Sequence, residues 1–235
     1  MIMIMAMAMG EEYDAVNQIV LGVISWTTLF LFIRKVFSKR SFGFCTRIVS
    51  TIHAISAVIL ASLSVEDWSC PRQALAATLG YFIYDLICCF LGGGSNFDNS
   101  FHHLVCIVGI GAGFAFGKCG SEQVATLFIL ESSTPFLHVR ELLKELGYRD
   151  TNLNLAADIT FALIFSVARM VGGPYLLFVT LSANNPMLIK AMAVGLQLVS
   201  AFWFYKIVKM VKYKLTKTRE KVGLPPTSLQ NEKLD

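Results

Sequence analysis

Two adjacent histidines, His102 and His103, are the residues of this sequence best suited to chemistry. An imidazole takes up and releases a proton near neutral pH, as a general base acting on an amine or a hydroxyl must do. Adjacent side chains on a helix point about 100° apart, so one ring can face a cavity while the other contacts a neighbouring helix. The alternative is that both rings only lie at a membrane interface. Neither an HExxH nor an HxxxH motif occurs, so no metal site is predicted.

Other ionisable side chains interrupt long apolar segments, namely Asp85, Glu131, His138, Asp158 and Arg169. Glu131 and His138 are seven residues apart and share one helix face, and Asp158 and Arg169, eleven apart, are about 20° from alignment. An ionisable group in mid-membrane costs about 2.5 to 3.5 kcal/mol, so each is expected to face a partner or a wet cavity. The pattern therefore predicts one polar cavity inside a helical bundle.

Simpler structural roles remain open for several of these residues. Glu131 with Arg169 is either part of a ligand site or an ion pair that fixes helix register. Asp85 either faces the cavity or accepts a hydrogen bond from Tyr81, one turn away. His53, alone among small hydroxyl residues, is expected to be a packing residue.

The composition determines which elements hold these residues in place. Hydrophobic residues make up 55% of the 235 residues and charged residues only 15%, against about 25% in soluble domains. Apolar runs near 20 residues long predict an all-α membrane protein and exclude a soluble enzyme or a β-barrel. Pro135 is expected to kink the fifth span because it has no N–H to donate. The seven predicted transmembrane spans are residues 15–33, 44–63, 73–91, 104–118, 121–139, 156–181 and 187–208.

The basic residues are distributed unevenly between the two sides of this topology. Of the twenty, sixteen fall on one side, three fall on the other, and Arg169 lies within a span. The positive-inside rule then predicts a cytosolic C-terminus, with the ionisable groups in the cytosolic half of the bundle. Cys70 and Cys119 fall on the opposite side, where a disulfide can persist. The charge pattern reflects membrane sidedness, and no nucleic-acid partner is expected.

A family resemblance rests on two motifs. His102-His103 at the opening of a span, followed about 30 residues later by LESSTPF at 130–136 and then Arg140, resembles the TLC domain family, which includes the ceramide synthases. The resemblance is closest to the smaller TLC domain-containing proteins. It implies a barrel of six transmembrane helices around a lipid-sized cavity, with one extra span at the N-terminus. The expected organisation is a leader at 1–14, a first span with a basic loop at 15–39, the TLC domain at 40–210, and a basic then disordered cytosolic tail at 211–235.

What the resemblance implies is a lipid-handling protein of the endoplasmic reticulum or another endomembrane. The first hypothesis is a protein that binds a membrane lipid in its cavity and acts in membrane lipid homeostasis, with membrane lipids as partners and without a cofactor. Oligomeric state stays open. The residues expected to line the lipid cavity are Asp85, His102, His103, Glu131, His138, Arg140, Asp158 and Arg169.

Two alternatives are kept beside that hypothesis. One is an acyl-CoA-dependent N-acyltransferase resembling ceramide synthase, with acyl-CoA as co-substrate. His102 or His103 would be the catalytic base, Glu131 would orient the imidazole, and Arg140 and nearby basic residues would attract the anionic cofactor. The ceramide synthases have an HDxxD sequence where this chain has ESSTP at 131–135, so only one carboxylate remains. The other alternative is a lipid transporter.

Overall fold

The computed structural model describes residues 2–66, 71–92, 97–117 and 120–222. Within these ranges the regular structure is helical throughout. In chain order the helices are α1 Ile2–Val36, α2 Phe42–Glu66, α3 Pro71–Leu91, α4 Phe97–Phe116, α5 Gly120–Glu131, α6 Thr134–Glu145, α7 Asn152–Val167, a π-helix Ala168–Gly172, α8 Gly173–Ser182 and α9 Met187–Val222.

Six helical segments among the described residues are long and apolar enough to cross a membrane, which confirms the predicted all-α membrane fold. The segments are Asp14–Val36, Phe42–Ser64, Arg72–Leu91, Phe97–Phe116, Asn152–Ser182 and Met187–Lys212. The fourth segment begins at Phe97 and not at residue 104. His102 and His103 consequently lie inside α4, in its second turn, and not just before a span as the sequence predicted.

The fifth predicted span, 121–139, is two helices of 12 residues each and not one continuous helix. α5 ends at Glu131, and α6 begins at Thr134 with Pro135 in its first turn. A proline there has no N–H to donate to the carbonyl four residues earlier, so the hydrogen-bond pattern of α5 cannot continue past Pro135. The predicted kink is therefore a break in the helix, and it falls just before the proline.

The long segment Asn152–Ser182 contains a π-helical turn at Ala168–Gly172. A π turn adds a residue to the helix and changes which side chains face inward. Gln197 on α9 bonds to this turn, donating from Nε2 to the carbonyl of Arg169 over 3.3 Å. The turn thus fixes Arg169 in the interior, where it is 4% exposed.

α1 packs along α3, and Gly80 of α3 lies directly against the α1 backbone. A Cβ on Gly80 would lie 2.9 Å from the carbonyl oxygen of Ile19 and 3.0 Å from the Cα of Gly22, so only a glycine fits there. The main apolar core lies beside this contact, with Val49, Leu79 and other side chains of α1 to α5 buried together.

One end of the bundle collects many of the charged side chains. Arg47 at the start of α2 lies beside Glu145 at the end of α6, and Lys206 on α9 lies beside Asp98 at the start of α4. Arg140 also lies at this end, with its Nη2 3.3 Å from the Met210 sulfur of α9. We call it the basic end after Arg47, Arg140 and Lys206. The predicted sidedness assigns the cytosol to this end.

Some predictions fall at or beyond the limits of the described chain. α1 begins at Ile2, so the residues expected to form a leader are part of a helix. The tail from 223 onward lies outside the described residues, as do Cys70 and Cys119, the predicted disulfide partners.

Candidate functional site

A cavity of about 550 Å³ lies within the bundle at the basic end. Phe161, Phe165 and Ile207 form part of its apolar wall, and Asp85 and Arg169 are among the charged residues that line it. The walls come from α2, α3, α4, α6, α7, the π-helix and α9. The cavity therefore joins a polar, charged interior to apolar surfaces within one membrane bundle.

The residues predicted for the cavity divide into two groups. Four of them line it: Asp85, His138, Arg140 and Arg169. The other four are buried outside its lining: His102, His103, Glu131 and Asp158. Two of this second group pair with charged lining residues, because His103 contacts Asp85 and Asp158 contacts Arg140.

His103 on α4 is held by α3. Its Nε2 lies 2.8 Å from Oδ2 of Asp85, and the amide nitrogen of Asn99 is 3.1 Å from the same Nε2. The His103 and Asp85 side chains are only 6% and 10% exposed. Asp85, and not Glu131 as expected from sequence, is thus the carboxylate placed to orient an imidazole.

The alternative partner of Asp85, Tyr81, is engaged elsewhere. The Tyr81 hydroxyl donates to the hydroxyl of Ser50 over 2.8 Å. The Tyr81 ring stacks on His53 with centroids 3.6 Å apart, and Trp26 meets the same imidazole edge-on. His53 is therefore part of an aromatic stack, in line with the packing role expected for it.

His102 points away from its neighbour, as adjacent positions on a helix require. Its ring lies 4.9 Å from the ring of Trp203 on α9, and its Nε2 is 3.7 Å from the Cys106 sulfur. The two histidine ring centroids are 5.5 Å apart. Only His103 is consequently coupled to a residue of the cavity wall through a carboxylate.

Arg169 lies at the inner side of the cavity. Its Nη2 donates to the carbonyl of Leu130 over 2.7 Å, and its guanidinium carbon lies 4.9 Å from the Phe165 ring centroid and 5.4 Å from that of Trp203. Its Nε and Nη1 are buried without a hydrogen-bond partner in the described part of the chain. No ion pair within 4 Å joins Arg169 to Glu131 among the described residues, and the two opposite charges attract each other only across a longer distance.

Arg140 closes another part of the wall. Its Nε lies 2.8 Å from Oδ1 of Asp158 and 3.3 Å from Oε1 of Glu141. Asp158 also accepts a hydrogen bond of 3.4 Å from the Asn154 amide. The guanidinium is thus placed between two carboxylates, one deeply buried and one nearer the mouth.

Ion pairs surround the mouth of the cavity. Lys206 Nζ is 2.7 Å from Asp98, and Lys144 Nζ is 2.7 Å from Glu141. Partial burial raises the pKa of Glu141, but the hydrogen bond from Lys144 and nearby cations outweigh it, so the pKa lies below its usual value. The Glu141 carboxylate is therefore charged at neutral pH, and the two pairs make a polar entrance.

Several cavity residues were not predicted from sequence. Asn99 shares the α4 face of His103, four residues away, and that spacing alone could have indicated it. Trp203 and Lys206, one turn apart on α9, could have been noticed for the same reason. Arg47 was counted only among the sixteen basic residues of the cytosolic side, because nothing in its neighbourhood marks it as a wall residue.

Two smaller apolar cavities, of about 80 and 40 Å³, lie elsewhere in the bundle, lined mainly by α4, α5, α8 and α9. Arg169 lines both the main cavity and the smallest one. Leu130 and Thr180 line both small cavities. Arg169 is thus a wall common to the polar cavity and the smallest apolar cavity, which in turn shares walls with the second one.

Comparison with known proteins places this arrangement in a family. The TLC domain model matches residues 43–209. The chain belongs to the TLC domain family. It is also 25% identical over 147 residues to the putative TLC domain-containing protein L438 of Acanthamoeba polyphaga mimivirus, an alignment that covers 60% of this chain and 73% of that protein.

Family membership confirms the resemblance first inferred from the histidine pair and the LESSTPF motif. Together with the six membrane-length helices, it identifies a multi-pass membrane protein of a lipid-related family. The matched range is close to the 40–210 predicted for the domain, although the boundaries themselves stay a prediction.

Proposed function

We propose that this TLC domain protein binds one membrane lipid in its cavity and acts in membrane lipid homeostasis in an endomembrane, with the basic end facing the cytosol. The observation that carries the proposal is Arg169. A buried guanidinium with two unpaired donors is costly, and oxygen atoms of a lipid phosphate, carboxylate or carbonyl would accept its hydrogen bonds.

The shape and chemistry of the cavities fit an amphiphile. A polar headgroup would occupy the 550 Å³ cavity, where charged and aromatic side chains lie together. An acyl chain would extend past Arg169 into the apolar crevices lined by Leu130 and Thr180. Each CH₂ group buried there adds about 0.8 kcal/mol, so a few methylenes suffice for a useful affinity.

The surroundings of the mouth support entry from the side of the membrane that carries anionic lipid. Arg47 and Lys206 belong to the rim, and their ion pairs are partly exposed. Basic groups near a cytosolic leaflet are attracted to anionic headgroups by about 1 kcal/mol each. The positive-inside rule gives the same orientation.

Lipid that copurifies with the full-length protein tests this proposal. The protein is purified in mild detergent, and bound lipid is measured by native mass spectrometry for the parent, Arg169→Gln and Lys35→Gln. Lys35→Gln is the matched control, because it removes a cation from an exposed position at the basic end. Loss of hydrogen bonds from a charged donor costs about 1.5 to 3 kcal/mol, so Arg169→Gln is expected to weaken lipid affinity about tenfold or more and to lower the amount of lipid that copurifies.

The conservative Arg169→Lys variant separates binding from folding. Lysine keeps the charge but not the planar set of donors, so it is expected to retain part of the lipid. Equal lipid in the parent and in a folded Arg169→Gln protein would contradict the proposal. The proposal is also contradicted if Lys35→Gln loses as much lipid as Arg169→Gln.

A second candidate function is acyl transfer from acyl-CoA, favoured by the His103–Asp85 hydrogen bond. In this version the base would be His103, with Asp85 in the orienting role. The test is turnover of labelled acyl-CoA by purified protein with a panel of amines and alcohols. Turnover that His103→Gln abolishes would support the enzyme, whereas bound lipid without turnover would leave lipid binding as the function.

A further inference from the structure

We infer that Asp85, Cys89 and His103 form a binding site for one divalent transition-metal ion of the zinc type, with Asn99 able to supply a fourth ligand. The site lies where α3 meets α4 and does not depend on the lipid-binding role proposed above. Asp85, Cys89 and Asn99 also line the main cavity, so an ion can reach the site from the basic end.

The backbone brings the three donors together from two helices. Asp85 and Cys89 are four residues apart on α3 and therefore share one face. His103 reaches across from α4. One carboxylate oxygen, the Cys89 sulfur and one ring nitrogen of His103 all lie within 4.8 Å of one another. A tetrahedral zinc ion with ordinary bond lengths needs these donors about 3.4 to 3.6 Å apart, so small side-chain shifts complete the site.

The chemical types of the donors favour zinc over magnesium or calcium. A thiolate and an imidazole are ligands for zinc-like ions, whereas hard cations require oxygen donors. The Asp85 carboxylate and the Cys89 thiolate would together balance the two positive charges of the ion. A neutral cluster is the arrangement that burial at this depth tolerates best.

The polar groups around His103 are compatible with a bound cation. A neutral ring nitrogen either donates or accepts. Nε2 can donate its proton to the Asp85 carboxylate or offer a lone pair to the Asn99 amide nitrogen 3.1 Å away, but it cannot do both unless the amide turns its oxygen toward it. The same amide nitrogen lies 3.5 Å from the Cys89 sulfur. A metal ion bound by Nε2, with the Asn99 side-chain oxygen turned toward it, satisfies all four groups.

Metal occupancy also bears on the two candidate functions. A His103 nitrogen that ligates a metal cannot at the same time serve as the general base for acyl transfer. A three-ligand site beside a cavity leaves a coordination position for Asn99 or for water. Lipid binding through Arg169 is unaffected by either arrangement.

Cobalt and zinc titrations of the full-length protein in detergent test the inference. After treatment with a chelator, the parent is expected to bind one equivalent of Zn²⁺, measured by elemental analysis. Co²⁺ in the same site should give the near-ultraviolet absorption of a thiolate–cobalt bond. Cys89→Ser should abolish that absorption, and Asp85→Asn should raise the Kd for Zn²⁺ more than tenfold, because loss of even an outer-shell partner costs 10- to 100-fold.

Cys88→Ser is the matched control, since Cys88 is the adjacent α3 residue and its sulfur is not one of the three donors. It should keep both the stoichiometry and the absorption of the parent. All variants are checked for folding by size exclusion and thermal unfolding. A parent protein that binds no zinc above background, or a thiolate–cobalt spectrum that persists in Cys89→Ser, overturns the inference.

Discussion

The buried ion pair between Arg140 and Asp158 gives a prediction about stability. The two side chains are 9% and 5% exposed, and Arg140 Nε lies 2.8 Å from Oδ1 of Asp158. Removing one partner of such a pair costs about 3 to 5 kcal/mol, because the other loses its counter-charge in a poorly solvated site. Arg140→Gln is therefore expected to lower the free energy of unfolding by that amount.

The two partners are not equivalent, and the structure indicates which loss is larger. In Asp158→Asn, Arg140 keeps Glu141, whose Oε1 is 3.3 Å away and whose side chain is 30% exposed. In Arg140→Gln, the more deeply buried Asp158 loses the guanidinium. We expect Asp158→Asn to lower the free energy of unfolding by about 2 kcal/mol, less than the cost of leaving a buried charge without any counter-charge. The double variant should cost less than the sum of the single variants, by about 1 to 3 kcal/mol.

Reversible unfolding in mixed detergent micelles measures these values, and thermal unfolding should show a fall of about 10 °C for Arg140→Gln. Glu145→Gln is the control, because it breaks a pair whose side chains are 37% and 26% exposed. Such a rim pair is worth at most about 1 kcal/mol. Equal losses for Glu145→Gln and Arg140→Gln, or strict additivity in the double variant, would refute the reasoning.

Two further predictions concern the helices that position the site. Gly80→Ala should destabilise the protein by about 1 to 3 kcal/mol in thermal unfolding, because its Cβ would meet the α1 backbone at 2.9 Å. Gly22→Ala is the control and should change little, because its Cβ would lie 3.5 Å from the nearest atom. Thr151→Ala should cost about 1 kcal/mol, since the Thr151 hydroxyl caps α7 at the N–H of Asn154, and Thr151→Ser should restore it.

The sequence predicted the helices far better than their breaks. Apolar length locates a membrane helix directly, so six of the predicted spans coincide with membrane-length helices. The fifth span was predicted as continuous because hydropathy averages over a window and passes across Ser132 and Ser133. Pro135 indicated where the fifth span is interrupted but not whether it kinks or breaks, since a proline either kinks a helix or starts a new one.

The site was predicted in its residue types and only partly in its contacts. Helical spacing determines which residues share a face, but not how far one helix is rotated against the next. That rotation places His103 in contact with Asp85 on α3 and not with Glu131 on α5. Arg169, on the π turn, likewise donates to the Leu130 carbonyl and lies beyond ion-pair distance of Glu131. A charged residue in a membrane helix thus predicts that a partner exists, while the packing of the helices decides which partner it is.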